Sequence, residues 1–439
     1  MMKLRRKLAA LTGLAVAAAV AGSTSPTWAS TAPTTTARAG SASAFSSGSG
    51  QSIVAWNQEL VSILKTPGAQ PATVHPTRSY AIVHAAIYDA VVSITHADRP
   101  YLFEVNAGRG ARPDAAADQA AHDTLVALYP SMKATLDQML DAQLAALPSG
   151  PHTQEGIRVG RTAAALMLGA RANDGSSATP PPFVAPPAQP GNYQITPPNF
   201  PTPVFTNWGT IAPFVLNSSE QFRPPPPPAL TSDAWANAIN EVKSLGRDTS
   251  TTRTADETTA AKFWAPPIWN TWNEIASGQA TARHSDLEET AKMFAALNLT
   301  LGDTTIAFYD AKYQYLFWRP ITAIRSGTPG NPAVTADPTW NALANTAPDP
   351  SYPGAHSSIS EAAATVLTAF FGRHVDLTVS SDALAGVTRQ FPSFQAAATE
   401  AGLSRIFAGQ HTRIDHQAGL DLGADVAHFV LASAKSPGF

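Results

Sequence analysis

Cysteine is absent from all 439 residues. No disulfide can hold this fold, although an exported chain could have used them, and no thiol is available for an oxidant to attack. Net charge is also small, since 29 Lys and Arg face 32 Asp and Glu for a formal −3 at pH 7. That balance excludes the basic stripe of a nucleic-acid binder, so any cationic site has to be local. The alternating pattern of half-buried strands is missing, and so is the fixed-period repeat of a solenoid or propeller. Apolar residues are plentiful at 44%, enough to build a sizeable core in one large domain or two smaller ones.

The N-terminus has the pattern of a secretory signal. Lys3, Arg5, Arg6 and Lys7 precede an apolar run from Leu8 to Ala21, and Thr27-Trp28-Ala29 offers a cleavage point after Ala29. The run is shorter than the roughly 20 residues a spanning helix needs, so stable membrane insertion is not expected. Residues 1–29 are therefore expected to be a signal peptide directing secretion, and 30–50, rich in Ser, Thr, Ala and Gly, a flexible linker.

Helical periodicity begins near Ser52 and recurs over Ile82–Val91, 114–147 and 153–173, with Gly175 as a stop. Residues 180–228 differ. Pro180-Pro181-Pro182 opens them and Pro224 to Pro228 closes them, which forbids a helix interior and predicts a long extended crossing over a helical body. Helix resumes at Ser232. Ser285 with Glu288 reads as a capping box for a long helix toward Arg325, and Ser358 with Glu361 as another for a helix ending at Gly372. A last helix is expected over about 410–434. The fold class is all-α, as helical bundles in two four-helix-bundle-like halves.

Three segments carry chemistry. Lys312 and Arg319 are seven residues apart in Lys-Tyr-Gln-Tyr-Leu-Phe-Trp-Arg-Pro, two helical turns or roughly 10 Å along one face, and both can reach one anion. Pro353-Gly354-Ala355-His356-Ser357-Ser358 precedes a helix, whose first amides favour an anion, with His356 placed to move a proton. Ser404-Arg405 precedes His411 and Asp415, which are four apart, so the carboxylate can fix the imidazole tautomer and leave the other nitrogen as nucleophile or ligand. Read alone, each has an ordinary alternative: a snorkelling pair, a histidine near a helix cap, a surface His–Asp pair. Together, three cations, two histidines and a helix start suit a tetrahedral oxyanion that becomes trigonal bipyramidal.

These segments resemble the signature of the type 2 phosphatidic acid phosphatase and vanadium haloperoxidase superfamily: Lys312, six residues, Arg319-Pro320; a Pro-Ser-Gly-His element; Ser404-Arg405, five residues, His411, three residues, Asp415. Phe317 to Arg325, Pro350-Ser351-Tyr352-Pro353, Trp56-Asn57, His84–Asp89 and the proline-rich crossing are similar to the haloperoxidase branch, so the likeness spans about 51–435. It implies a vanadium haloperoxidase-like helical domain over 51–439, with its oxyanion site in 305–435. Vanadate would be the cofactor, held by Lys312, Arg319, Gly354, Ala355, Arg405 and His411. His411 would bond the vanadium, and His356 and Asp415 would complete the catalytic set. Hydrogen peroxide, halide and a small organic molecule would be the substrates.

One element departs from the pattern. Gly354-Ala355 stands where the superfamily has Ser-Gly. The missing serine hydroxyl is worth about 1.5–3 kcal/mol as a hydrogen bond to an anion, and Ala355 adds a methyl where backbone should approach closely. The same residues would also serve a secreted acid phosphatase with a phosphohistidine at His411, or a non-redox oxyanion-binding homologue.

Overall fold

The computed structural model describes residues 48–434, which fall within one compact unit. Among the described residues, thirteen α-helices run in order: α1 Gln51–Lys65, α2 Pro76–Thr95, α3 Pro113–Leu128, α4 Lys133–Ala145, α5 Pro151–Arg171, α6 Asp233–Leu245, α7 Ala255–Phe263, α8 Ile268–Ala282, α9 Leu287–Tyr315, α10 Pro320–Arg325, α11 Ala355–Phe371, α12 Phe394–Phe407 and α13 Arg413–Ala434. The fold is all-α. Two short strands, β1 Leu377–Ser380 and β2 Thr388–Phe391, form an antiparallel hairpin that the periodicity does not reveal, each only four residues long. No helix among the described residues is long and apolar enough to cross a membrane. The signal-like segment 1–29 lies outside the described residues, as does most of the linker.

The last residues of that linker are packed rather than loose. Gly50 N–H donates to Ser285 O at 3.1 Å and Leu287 N–H to Gly48 O at 2.9 Å, which ties the start of α1 to the start of α9.

Two groups of helices share one member. α2, α3 and α5 pack on one another, as do α11, α12 and α13, and α9 lies against both α2 and α11. The burial of α9 explains this position, since nearly every side chain from Thr290 to Tyr309 is inside. A helix apolar on all sides needs cover on all sides. Its N-cap is Asp286, whose carboxylate accepts from Glu289 N–H at 2.8 Å, not Ser285. Glu288 and Glu289 in the first turn favour the helix dipole. The helix stops ten residues short of Arg325, because Leu316 turns left-handed and Pro320 opens α10. α11 also starts earlier than Ser358, at Ala355, and the Ser358 hydroxyl donates back to Gly354 O at 3.0 Å. α11 and α13 approach closely at Gly423, where a Cβ would stand 2.2 Å from Ser358 O.

The proline-rich crossing is packed as the sequence implies, and it backs the segments of greatest interest. Tyr193 N–H donates to Leu316 O at 2.6 Å, Trp318 N–H to Gly191 O at 3.0 Å and Val204 N–H to Pro348 O at 3.0 Å. The Tyr352 hydroxyl donates to Pro225 O at 2.7 Å. The fully buried Asp303 of α9 accepts from the amides of Phe214, Val215 and Leu216 at 2.6, 2.7 and 2.8 Å. Asp303→Ala would leave three buried donors without acceptors, each costing about 1–3 kcal/mol. Urea unfolding of this variant is expected to show a loss of about 3 kcal/mol or more, with faster amide exchange at 214–216; a loss below about 1 kcal/mol would mean the crossing is held elsewhere.

Candidate functional site

Lys312 and Arg319 do converge, but not by helical spacing. Lys312 is in the last turn of α9, whereas Arg319 is the N-cap of α10 beyond the left-handed break at Leu316. The break turns the chain so that both side chains enter the same interior region, and both are essentially fully buried. Lys312 Nζ donates to the carbonyls of Pro350 and Ser351, the latter at 3.2 Å. The Arg319 fork is fully engaged: Nε donates to Asp349 O at 2.8 Å, Nη2 to Asp349 Oδ1, and Nη1 to Gln410 O at 2.9 Å and His411 Nε2 at 3.1 Å.

His411 and Asp415 also meet, although they are not on one helix. α13 begins at Arg413, so His411 sits in the turn before it. Thr412 and Asp415 form reciprocal capping bonds, Thr412 N–H to Asp415 Oδ2 at 2.7 Å and Asp415 N–H to Thr412 Oγ1 at 3.3 Å, which fixes the carboxylate. That oxygen also accepts from the Ser351 hydroxyl at 2.7 Å and lies 3.3 Å from His411 Nδ1. Gly409 makes the turn possible. Its φ is +80°, and a Cβ there would stand 2.5 Å from Gly246 O.

The tautomer of His411 follows from its neighbours. A carboxylate at Nδ1 takes a proton, and a guanidinium N–H pointing at Nε2 needs a lone pair, so Nε2 is unprotonated. Burial, reinforced by Arg319, pushes the imidazole down to about 4, against the opposing pull of Asp415. His411 is therefore neutral at physiological pH, with a basic nitrogen facing cations.

Arg405, in the last turn of α12, completes the cluster. Its Nε and Nη2 donate to Gln410 Oε1, the former at 3.0 Å, and Nη1 reaches Trp264 O at 3.4 Å. His356 Nε2 donates to the same Trp264 carbonyl at 3.0 Å, which leaves Nδ1 as the proton acceptor of that ring. Burial and Arg405 hold His356 well below its ordinary value. Burial, opposed by Asp349 and reinforced by Arg319, lowers the Lys312 ammonium to about 8, still charged at neutral pH. Gly354 is the N-cap of α11, with an ordinary φ of −74°, and Ala355 is its first residue. First-turn amides have no acceptor within their own helix, so α11 presents N–H groups beside His356. A Cβ on Gly354 would lie 3.1 Å from Asp415 O and 3.4 Å from Ser357 Oγ. A serine there is thus a tight fit against the start of α13.

Four participants escape a reading by residue type. Asp349, Gln410, Ser351 and the Trp264 carbonyl all contact the predicted residues. Asp349 lies two residues before Ser351 in Ala-Pro-Asp-Pro-Ser, and a carboxylate so close to the proline-rich element was a usable signal. A backbone carbonyl leaves none.

A helical bundle thus gathers three buried cations and two buried histidines where α9, α10, α11, α12 and α13 meet, with Arg319 against His411 Nε2. Residues 292–437 match the family described as the VCPO second helical-bundle domain. A bacterial vanadium-dependent iodoperoxidase superposes with a TM-score of 0.77 at 24% identity, over 88% of this chain and 96% of the other. A holo-type bacterial vanadium-dependent chloroperoxidase superposes with a TM-score of 0.67 at 16% identity, over 89% and 100%. No curated protein sequence matches the chain. The chain shares its fold with these vanadium-dependent haloperoxidases, and its C-terminal third is similar to the second helical-bundle domain described by that family model.

The neutral state of His411 is open to test in the ligand-free protein. Its ring should titrate near pH 4 by ¹⁵N NMR, and lower still in Asp415→Asn, because the carboxylate favours the protonated form. The folded value lies below the unfolded one, near 6.5, so this residue withdraws stability as pH falls from 6.5 through 4. A midpoint at 6.5 or above would contradict the assignment.

Proposed function

We propose that this protein is a vanadate-dependent haloperoxidase, using hydrogen peroxide to oxidise halide and halogenate an organic substrate. The observation that carries the reading is the contact of the Arg319 guanidinium with His411 Nε2 at 3.1 Å, in a buried region that also holds Lys312 and Arg405. The donor set fits vanadate. Three charged side chains and the first-turn amides of α11 would hold the oxygens, and the His411 imidazole nitrogen would serve as the ligand to vanadium. Bound vanadate supplies an electrophilic centre that activates peroxide toward halide without a change of its own oxidation state.

The chain's own residues supply the rest. His411 Nε2 would hold the oxyanion in place of its contact with Arg319, with Asp415 and Ser351 fixing the ring. Lys312, Arg319 and Arg405 neutralise negative charge in a buried setting, where such contacts are strong. His356, anchored by Trp264 O, accepts a proton at Nδ1. The likeness in fold to an iodoperoxidase and a chloroperoxidase supports the reading over nearly the whole chain.

The decisive experiment is a halogenation assay with a phenol-like or 1,3-diketone reporter, vanadate, peroxide and each halide in turn. Turnover is expected with at least one halide and should fall more than 100-fold in His411→Ala. Full vanadate occupancy without halogenation would end the proposal, and phosphate-ester hydrolysis inhibited by vanadate would replace it with a phosphatase. Export belongs to the same reading: protein recovered from the medium should begin at Ser30 by mass spectrometry, and an intact N-terminus there would refute cleavage after Ala29.

A further inference from the structure

The pocket already contains an anion of its own. The Asp349 carboxylate is buried, with Oδ1 accepting from Arg319 Nη2 and lying 3.6 Å from Lys312 Nζ. The same residue's carbonyl accepts from Arg319 Nε at 2.8 Å. Two of the three cations that would grip an oxyanion are therefore committed to a fixed carboxylate. The third, Arg405, is bonded only to neutral acceptors, Gln410 Oε1 and Trp264 O. Asp415 is turned toward Ser351, Thr412 and His411. With both histidines neutral, three positive and two negative charges leave the cluster with one net positive charge.

The geometry points to Asp349 as a specificity-determining residue: a built-in counter-ion that the incoming oxyanion must share Lys312 and Arg319 with, so that the site favours anions of low charge over fixed dianions. The inference rests on the oxyanion-site reading above. It follows from Coulomb's law at short range, where a second fixed negative charge a few ångströms away penalises each added charge on the ligand in proportion. Dihydrogen vanadate, a monoanion, meets a smaller penalty than sulfate.

Calorimetry on the mature chain at pH 7.5, with vanadate and with sulfate as separate probes, tests this. Asp349→Asn keeps the size and an acceptor for Arg319 but removes the charge. It is expected to bind both anions at least tenfold more tightly than wild type, with the larger gain for sulfate. Asp349→Ser should show the same ordering if the amide variant fails to fold, and Asp349→Glu, which retains the charge, should show no gain. Equal or weaker binding in the neutral variants, or an equal gain in Asp349→Glu, would overturn the inference while leaving the oxyanion site standing. Binding of neither anion by any form, wild type included, would remove the oxyanion reading and the inference with it.

Discussion

The guanidinium of Arg319 is the tie on which the site depends. Its donors reach Asp349 through both carbonyl and carboxylate, and Gln410 and His411 on the other side. It therefore joins the loop before α11, the turn before α13 and the start of α10 in one planar fork. Arginine suits this role because the fork is rigid and its charge permanent. Removing one partner from a buried pair of this kind costs about 3–5 kcal/mol, because a charge is left without compensation. The surrounding structure is arranged to keep the tie dry. The proline-rich crossing bonds to the backbone at Leu316, Trp318 and Pro348, on the segments flanking Arg319 and Asp349.

Much of this was legible in the sequence. Helix-period patterning and the absence of alternating runs gave the fold class, and Pro180–Pro228 gave the crossing. The cations and histidines were identifiable by type and by the family signature. The route by which Lys312 and Arg319 meet was not. Seven-residue spacing suggests a shared helix face, whereas a left-handed Leu316 ends the helix between them. Such a break depends on tertiary contacts, here the bond from Tyr193 N–H to Leu316 O, and a bulky leucine does not announce it. Two helix starts differ from the sequence pattern for a related reason. Ser285 and Ser358 have the right partners at the right spacing, but Asp286 and Gly354 hold the cap positions because the neighbouring chain fixes where each helix enters.

The departure at Gly354-Ala355 also takes on a different meaning in three dimensions. Position 354 faces the start of α13 closely enough that a Cβ would press on Asp415 O. The lost hydroxyl and the close packing of α11 on α13 belong to one local arrangement. The donors that remain beside His356 are the first-turn backbone amides of α11 and the Arg405 guanidinium, which shares the Trp264 carbonyl with His356.

Finally, α9 has a consequence for dissection of the chain. The family match begins at residue 292, and the cations, both histidines and Asp349 all lie within 292–437. A fragment cut there would look self-sufficient. Yet α9 is covered on its opposite side by α2, and Asp303 points from it to the 214–216 backbone. An excised C-terminal piece would carry every reactive side chain and lack half the wall behind them, so the reactive apparatus and the smallest foldable unit are not the same stretch of chain.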